Sequence, residues 1–286
     1  MFRFISMIIF LGLGTVVFAQ DSTLVGTLDY QLIPASKEVG STSQLQVALN
    51  VPVNLGNLKL AFTPGLRHYN FDYWDNAPFD FTLFEQVNNA FVSMTAGYSF
   101  NSNLKLQTTA EASWASGINV EEMVVTGSSS LIYKWGLVNP ARLRFGLQYD
   151  SPLGNLSLLP LIEIAFQTSK FKVNLGFPNS QISYPLSAAG TLSTSFSFTG
   201  DYFYIPKEVA LNGYTMTKAG LSRQQLGLDY TYRVDDSWGF SLGGGYLFTN
   251  DLRLYGSQSD TDYKLNMGAG PIFSAGIKFN FPKYKL

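Results

Sequence analysis

From Gln44 to Val53 the chain reads Leu45, Val47, Leu49, Val51 and Val53 on one face and Gln44, Gln46, Ala48 and Asn50 on the other. A period of two is the repeat of a β-strand, and the 3.6-residue spacing of an amphipathic helix does not fit it. The same alternation returns along most of the remaining sequence: Leu58, Leu60 and Phe62; Val92, Met94, Ala96 and Tyr98; Leu104 and Leu106, then Ala110, Ala112 and Trp114; Leu131, Tyr133 and Trp135; Leu143, Phe145, Leu147 and Tyr149. It continues through Leu158, Ile162, Ile164 and Phe166, through Leu226, Leu228, Tyr230 and Tyr232, and ends in Phe273, Ala275, Ile277, Phe279 and Phe281. No comparable stretch carries a helical apolar stripe, so the chain is expected to be all-β.

The connections sort into two sets. Short ones are rich in turn formers: Asn54–Asn57, Asn101–Asn103, Gly136–Pro140, Thr168–Lys170, Ser187–Gly190 and Asp235–Ser237. Longer ones alternate with them: Pro34–Ser43, Asn70–Asn89, Gly117–Val125, Pro206–Ala219 and Gly256–Gly268. Brief turns at one end and extended loops at the other are the layout of an outer-membrane barrel, which needs an even strand number when both termini lie in the periplasm. Splitting Phe171–Phe177 from Gln181–Leu186 at Pro178 gives about 14 strands, merging them gives about 13, which parity rejects, and losing the N-terminal run Ser22–Ile33 as well gives about 12. A transmembrane antiparallel up-and-down β-barrel of about 12 to 14 strands is therefore expected over residues 20–286.

Composition separates this reading from a soluble β-sandwich, the other all-β architecture with such alternation. Charged residues make up only 14% of the 286 residues, against about 25% in soluble domains. Apolar faces end in aromatic residues, as at Tyr98 and Phe100, Tyr133 and Trp135, or Tyr230 and Tyr232, where interfacial girdles belong. The opposite faces are small and polar, as in Ser93, Thr95, Gly97 and Ser99. A strong final strand, Pro271–Phe281, is expected to pair with the first so that no edge is left in lipid. Residues 1–19 read as a secretory signal peptide: Arg3 precedes an apolar run from Phe4 that closes on Val17 and Ala19. That run is shorter than the roughly 20 residues a membrane helix requires.

Over residues 20–286 the chain resembles outer-membrane β-barrel proteins of Bacteroidota, in particular a barrel family of unknown function. Leu159–Phe166, Phe171–Pro178 and Gln181–Tyr184 carry the likeness, with Gly176–Pro178 followed by Tyr184 its most specific part. The resemblance implies an integral outer-membrane location and transfers no catalytic residue. The chain departs from the usual aromatic ending, because Phe281 is followed by five further residues.

Chemistry is sparse. The absence of cysteine excludes disulfides and thiolate catalysis, one histidine excludes multi-histidine metal sites, and 19 basic against 20 acidic residues leave no basic surface for nucleic acid. No cofactor, no metal and no enzymatic activity are expected. His68 has outward parity at the end of its strand. Asp72, Asp75, Asp80 and Glu85 share a loop but lack calcium-loop spacing. Gly243–Gly245 sits mid-strand without the helix and lysine of a phosphate loop. The alternation instead points Glu111, Arg142, Arg144, Glu163, Arg223, Asp229, Arg233 and Lys278 inward with Gln107, Gln148, Gln167 and Gln225. Eight-stranded barrels fill their interior and barrels of about 16 strands keep a channel, so these groups either close the bore or line it. A network through Glu111, Arg144 and Glu163 is expected. The function expected is a narrow passive pore or transport-associated barrel for small polar solutes, in contact with outer-membrane lipids and the barrel insertion machinery. The alternative is a non-conducting barrel whose outer loops bind a partner or lipopolysaccharide.

Overall fold

The computed structural model describes residues 24–35, 40–72, 85–115, 122–136, 141–211, 213–256 and 262–281. The described residues form 15 strands. In order they are β1 (Val25–Ile33), β2 (Thr42–Leu55), β3 (Leu58–Phe71), β4 (Gln86–Ser99), β5 (Leu104–Trp114), β6 (Val124–Trp135), β7 (Ala141–Asp150) and β8 (Ser157–Gln167). They continue as β9 (Lys172–Phe177), β10 (Asn179–Pro185), β11 (Gly190–Leu211), β12 (Tyr214–Arg233), β13 (Trp238–Gly256), β14 (Asp262–Asn266) and β15 (Gly270–Asn280). Each pairs antiparallel with its sequence neighbours, except that β13 pairs with β15 along one half and with β14 along the other. β14 and β15 thus share one place in the wall, giving 14 positions. The ring closes where β15 pairs with β1, Leu28 opposite Ile277. The proposed signal peptide, most of the Asn70–Asn89 loop with Asp75 and Asp80, and the last five residues lie outside the described residues.

At one end the turns are fixed by side chains that accept the orphan N–H groups of the turn. Asn101 Oδ1 accepts from the Leu104 N–H at 2.8 Å, Ser187 Oγ from Gly190 at 2.8 Å, and Asp235 Oδ1 from Trp238 at 2.7 Å. Gly56 turns β2 into β3 at a φ of 62°, a conformation open to glycine at no steric cost. β9 and β10 are separate strands, joined at Phe177–Pro178 by a cis peptide bond.

Along the wall, alternate side chains point outward and stay bare. Leu242 is 66% exposed and Leu158 65%, with Phe145, Leu147, Ile162 and Leu228 similarly open. Their opposite neighbours are small or polar, as at Gly146, Glu163 and Asp229. Aromatic pairs crowd the short-turn end on this outer face, with Trp238 and Phe279 ring centres 4.5 Å apart and Tyr98 and Phe100 5.1 Å apart.

The sequence reading needs correction at the long-loop end. Pro206–Ala219 is not a long loop, because β11 runs on to Leu211 and β12 starts at Tyr214. Gly256–Gly268 likewise contains β14. The reason lies in where these strands go. β10 pairs with β11 only up to Ser197, opposite Asn179. At the same level the β12–β13 register shifts between Gln224 and Gln225, with Ser197 opposite Gln225 and Gln225 opposite Leu247. A bulge bends a strand and increases its twist. Beyond this level β11 leaves the wall and comes within 8 Å, between Cα atoms, of β4, β5 and β6 on the far side. The β11–β12 hairpin therefore folds across the bore. Its inner face, with Phe203, Ile205, Val209, Ala219 and Leu221, packs on Tyr69 and Phe71 of β3 and Val87 of β4, and Leu252 and Leu254 of β13 join the cluster. This is the apolar core, and it fills the long-loop half of the interior. Near its base both faces of the hairpin are covered, and toward its tip Lys207, Glu208, Ala210 and Tyr214 are exposed opposite the buried set, so its apolar residues do not mark out a lipid-facing side.

Candidate functional site: the barrel interior

Two rows of side chains, set by the ladder register, build the interior at the short-turn half. One runs Asp229, Gly243, Ser274, Gln31 and Gln44 across β12, β13, β15, β1 and β2. The next runs Thr231, Ser241, Gly276, Asp29, Gln46 and Arg67 over the same strands and on to β3. Successive same-face residues recur every second position along a strand, so both rows look inward. They border a half-open pocket of about 340 Å³ lined by Asp29, Gln31, Gln44, Gln46, Asp229, Ser241 and Ser274. The glycines make this space. A Cβ on Gly243 would overlap Asp229 Oδ1 and Ser274 Oγ, and one on Gly276 would lie 2.8 Å from Asp29 Oδ1. Each carboxylate thus lies over bare backbone on a neighbouring strand. Ser274 Oγ donates to Asp229 Oδ1 at 3.3 Å.

Above the pocket sits a charged layer that crosses the bore. Arg67 Nη1 is 2.9 Å from Glu111 on β5 and 3.7 Å from Asp201 on β11. Its Nε donates to Gln46 Oε1 at 3.0 Å, and its guanidinium lies 4.2 Å from the centre of the Phe91 ring. From the hairpin, Arg223 reaches β2 by donating from Nη1 to Gln44 Oε1 at 3.3 Å. Arg223 is only 4% exposed, and its Nη2 has no hydrogen-bond partner among the described residues. Tyr69 stacks on Phe203 immediately above, with ring centres 5.6 Å apart. Arg67 and Arg223 therefore hold the hairpin to the opposite wall through charge-assisted bonds, which are stronger than neutral ones.

The residues expected to line the interior are distributed over different places. Glu111 and Arg223 belong to the cross-barrel layer and Asp229 to the pocket. Arg142 and Glu163 pair with each other at 2.7 Å on β7 and β8, away from that layer. Arg144 donates from Nε to Ser130 Oγ at 2.9 Å. Arg144 lies directly opposite Glu163 in the β7–β8 ladder, so that part of the expected network stays together, while Glu111 is apart from it on Arg67 of β3. Arg233 is exposed and donates to the Ala188 carbonyl at 3.2 Å, so it braces the β10–β11 turn at the rim. Lys278 is also exposed. Sequence reasoning missed Arg67, Asp201 and Asp29. Their parity opposite Leu66, Tyr202 and Leu28 was a usable signal. Asp150, at the end of β7, has the same inward parity. His68, of the same parity as Leu66, has its Nδ1 2.8 Å from Asn88 Oδ1. Among the described residues no group of three or more histidine, cysteine or acidic side chains is placed to hold a metal ion.

A closed ring of strands, apolar on its outer face and charged on its inner one, pairs its backbone groups from strand to strand and presents hydrocarbon to hydrocarbon. This is the architecture of integral outer-membrane β-barrels, and the chain is one of them. No family model matches it and no curated protein does. Among solved structures it is similar to an outer membrane channel from Pseudomonas putida F1, with 9% identity, TM-score 0.47, and 91% of this chain and 95% of that one covered. It is also similar to the translocator domain of the autotransporter NalP from Neisseria meningitidis, with 12% identity, TM-score 0.40 and 98% of both chains covered. A third likeness is to the KdgM porin in complex with disordered oligogalacturonate, at 11% identity and TM-score 0.37, covering 90% of this chain and 99% of that one.

Proposed function

We propose that this chain is a narrow passive passage for small polar solutes across the outer membrane, shut in the conformation described. The reading rests on the pocket of about 340 Å³, whose lining of carboxylates, amides and hydroxyls suits water and small hydrophilic molecules. A barrel with a purely structural role has no need to keep such space open beneath a layer of charges. Within this reading Glu111 and Arg223 belong to the closing layer and Asp229 to the vestibule below it. Arg142, Arg144 and Glu163 line the β7–β8 side, and Arg233 stands at the entrance. Lipids of the outer membrane and the insertion machinery are its partners, and no enzymatic step is assigned to it.

One observation favours the second reading, a non-conducting barrel that binds a partner or lipopolysaccharide through its outer loops: the apolar cluster fills the long-loop half. Single-channel recording on refolded protein separates the two. In a shortened variant, residues 198–224 are replaced by Asn-Gly, a pair suited to a two-residue hairpin turn. Steady ohmic current through this variant supports the passage. A shortened variant that runs as a folded, heat-modifiable species on gels yet leaves bilayers silent overturns it.

A further inference from the structure

The connection between β7 and β8, residues 151–156, does not project from the rim. It lies against the hairpin on the face opposite the apolar cluster. Ser222 Oγ on β12 donates to the Pro152 carbonyl at 3.2 Å, and the Tyr255 hydroxyl on β13 donates to the Gly154 carbonyl at 2.7 Å. Two glycines admit this close approach. A Cβ on Gly200 would overlap the Ser151 carbonyl, and one on Gly220 the Gly154 carbonyl. Gly200, Gly220, Ser222 and Tyr255 all have the parity opposite to Asp201, Leu221, Arg223 and Leu254. The hairpin is therefore held between two surfaces: the inner wall on one side and this connection on the other.

The wall beside it is incomplete. β9 pairs with β8 only from Ile162 onward, and β10 reaches β11 only as far as Ser197. Ser157–Leu161 of β8 and Phe198–Leu211 of β11 consequently have no strand between them, and residues 151–156 arise at the edge of this gap. The level at which β11 loses β10 is also the level of the Phe248 bulge in β13, so Ser197, Gln225 and Leu247 mark one line across three strands. Below that line the strands are part of the wall. Above it β11, β12 and β13 stay laddered to one another, and β13 to β14, as one sheet, and that sheet is fastened to the rest of the barrel by side-chain contacts: Arg67 to Asp201, Arg223 to Gln44, the hydrogen bonds to Pro152 and Gly154, and the apolar packing on Tyr69, Phe71 and Val87.

We propose that the β11–β12 hairpin, together with the upper part of β13 and the β14 strand laddered to it, is a stopper that swings about the Ser197–Gln225–Leu247 line, and that the β7–β8 connection is the clasp that keeps it seated. Its effect on solute flow rests on the passage proposed above, but the clasp is read without it. Val87 on β4 is fully buried under the hairpin, and the native chain has no cysteine. In a Val87→Cys background, a membrane-impermeant maleimide therefore reports uncovering directly. Gly220→Ala, which forces the Gly154 carbonyl away, raises the labelling rate at least tenfold. Tyr255→Phe, which removes one bond and no volume, raises it severalfold. The same two substitutions in the otherwise native chain raise the open probability in planar bilayers. Labelling rates unchanged in both clasp variants overturn the stopper. If labelling rises while the shortened variant stays silent, the stopper stands and the passage falls. If the shortened variant conducts while labelling stays flat, the passage stands and the stopper falls.

Discussion

Replacing Arg67 by alanine removes the side chain that bridges Glu111 of β5 and Asp201 of β11 across the bore. At 2.9 Å and 3.7 Å from Glu111 and Asp201, its gross attraction is about 6 and about 4.5 kcal/mol at an effective dielectric of about 20. Most of that is offset by the cost of taking three charges out of water, several kcal/mol per ion. What a truncation measures is the penalty of leaving two acids unpaired, about 3–5 kcal/mol for a buried pair. The carboxylates are 21% and 22% exposed, and screening by water lowers the expected loss to about 2–3 kcal/mol. Urea unfolding of the refolded barrel in lipid vesicles, followed by tryptophan fluorescence, reads this as a shift in midpoint. Arg67→Lys keeps the charge but cannot reach Glu111, Asp201 and Gln46 together, and should lose about half as much. Arg67→Ala with Asp201→Ala should be less unstable than the two single losses added, because one orphaned charge goes with its partner. A loss within about 0.5 kcal/mol for Arg67→Ala, the range of an uninvolved surface substitution, refutes the cross-barrel layer as a fastening.

Three other outcomes are expected. Ile162→Arg places a charge on the outward face of β8 and should cost about 2–4 kcal/mol in vesicles if that face meets the hydrocarbon midplane, checked by the same titration. With Asp29→Asn and Asp229→Asn introduced together in the Gly220→Ala background, the permeability of potassium relative to chloride should fall at least about twofold, read from the reversal potential under a salt gradient, because two negative charges leave the vestibule. Intact mass of protein recovered from membranes should correspond to a chain beginning at Gln20, and retention of residues 1–19 would refute the signal peptide.

The outer face of the wall was legible because lipid imposes one rule on it. Leu143, Phe145 and Leu147, or Phe240 and Leu242, alternate with small or polar neighbours, and the separation of β9 from β10 was visible at Pro178. The first-to-last pairing followed from the need to leave no edge. The hairpin was not legible. Its apolar side, with Phe203, Ile205, Val209 and Leu221, is buried against the far wall instead of facing lipid, and the exposed Lys207, Glu208 and Tyr214 near its tip break the strand pattern, so the segment reads as a loop. The charged layer was half legible: parity points Glu111 and Arg223 inward, but nothing in the sequence says that Arg67, Gln44 and Asp201 meet them from β3, β2 and β11. The Phe248 bulge shifts the inward set from Gly243, Gly245 and Leu247 to Asn250, Leu252 and Leu254, a one-residue slip that strict alternation cannot anticipate.

The seam between β1 and β15 joins Leu28 to Ile277, partners about 250 positions apart along the polypeptide. Every other neighbouring pair in the wall can form from segments made one after the other. This one waits for the whole chain, and loop-closure entropy makes so distant a pairing slow. Until it forms, two unpaired rims with sticky hydrophobic flanks stand open to any other polypeptide. Closing the ring is therefore the last pairing open to the chain, and substitutions that weaken the seam should lower its yield well before they change the finished ring.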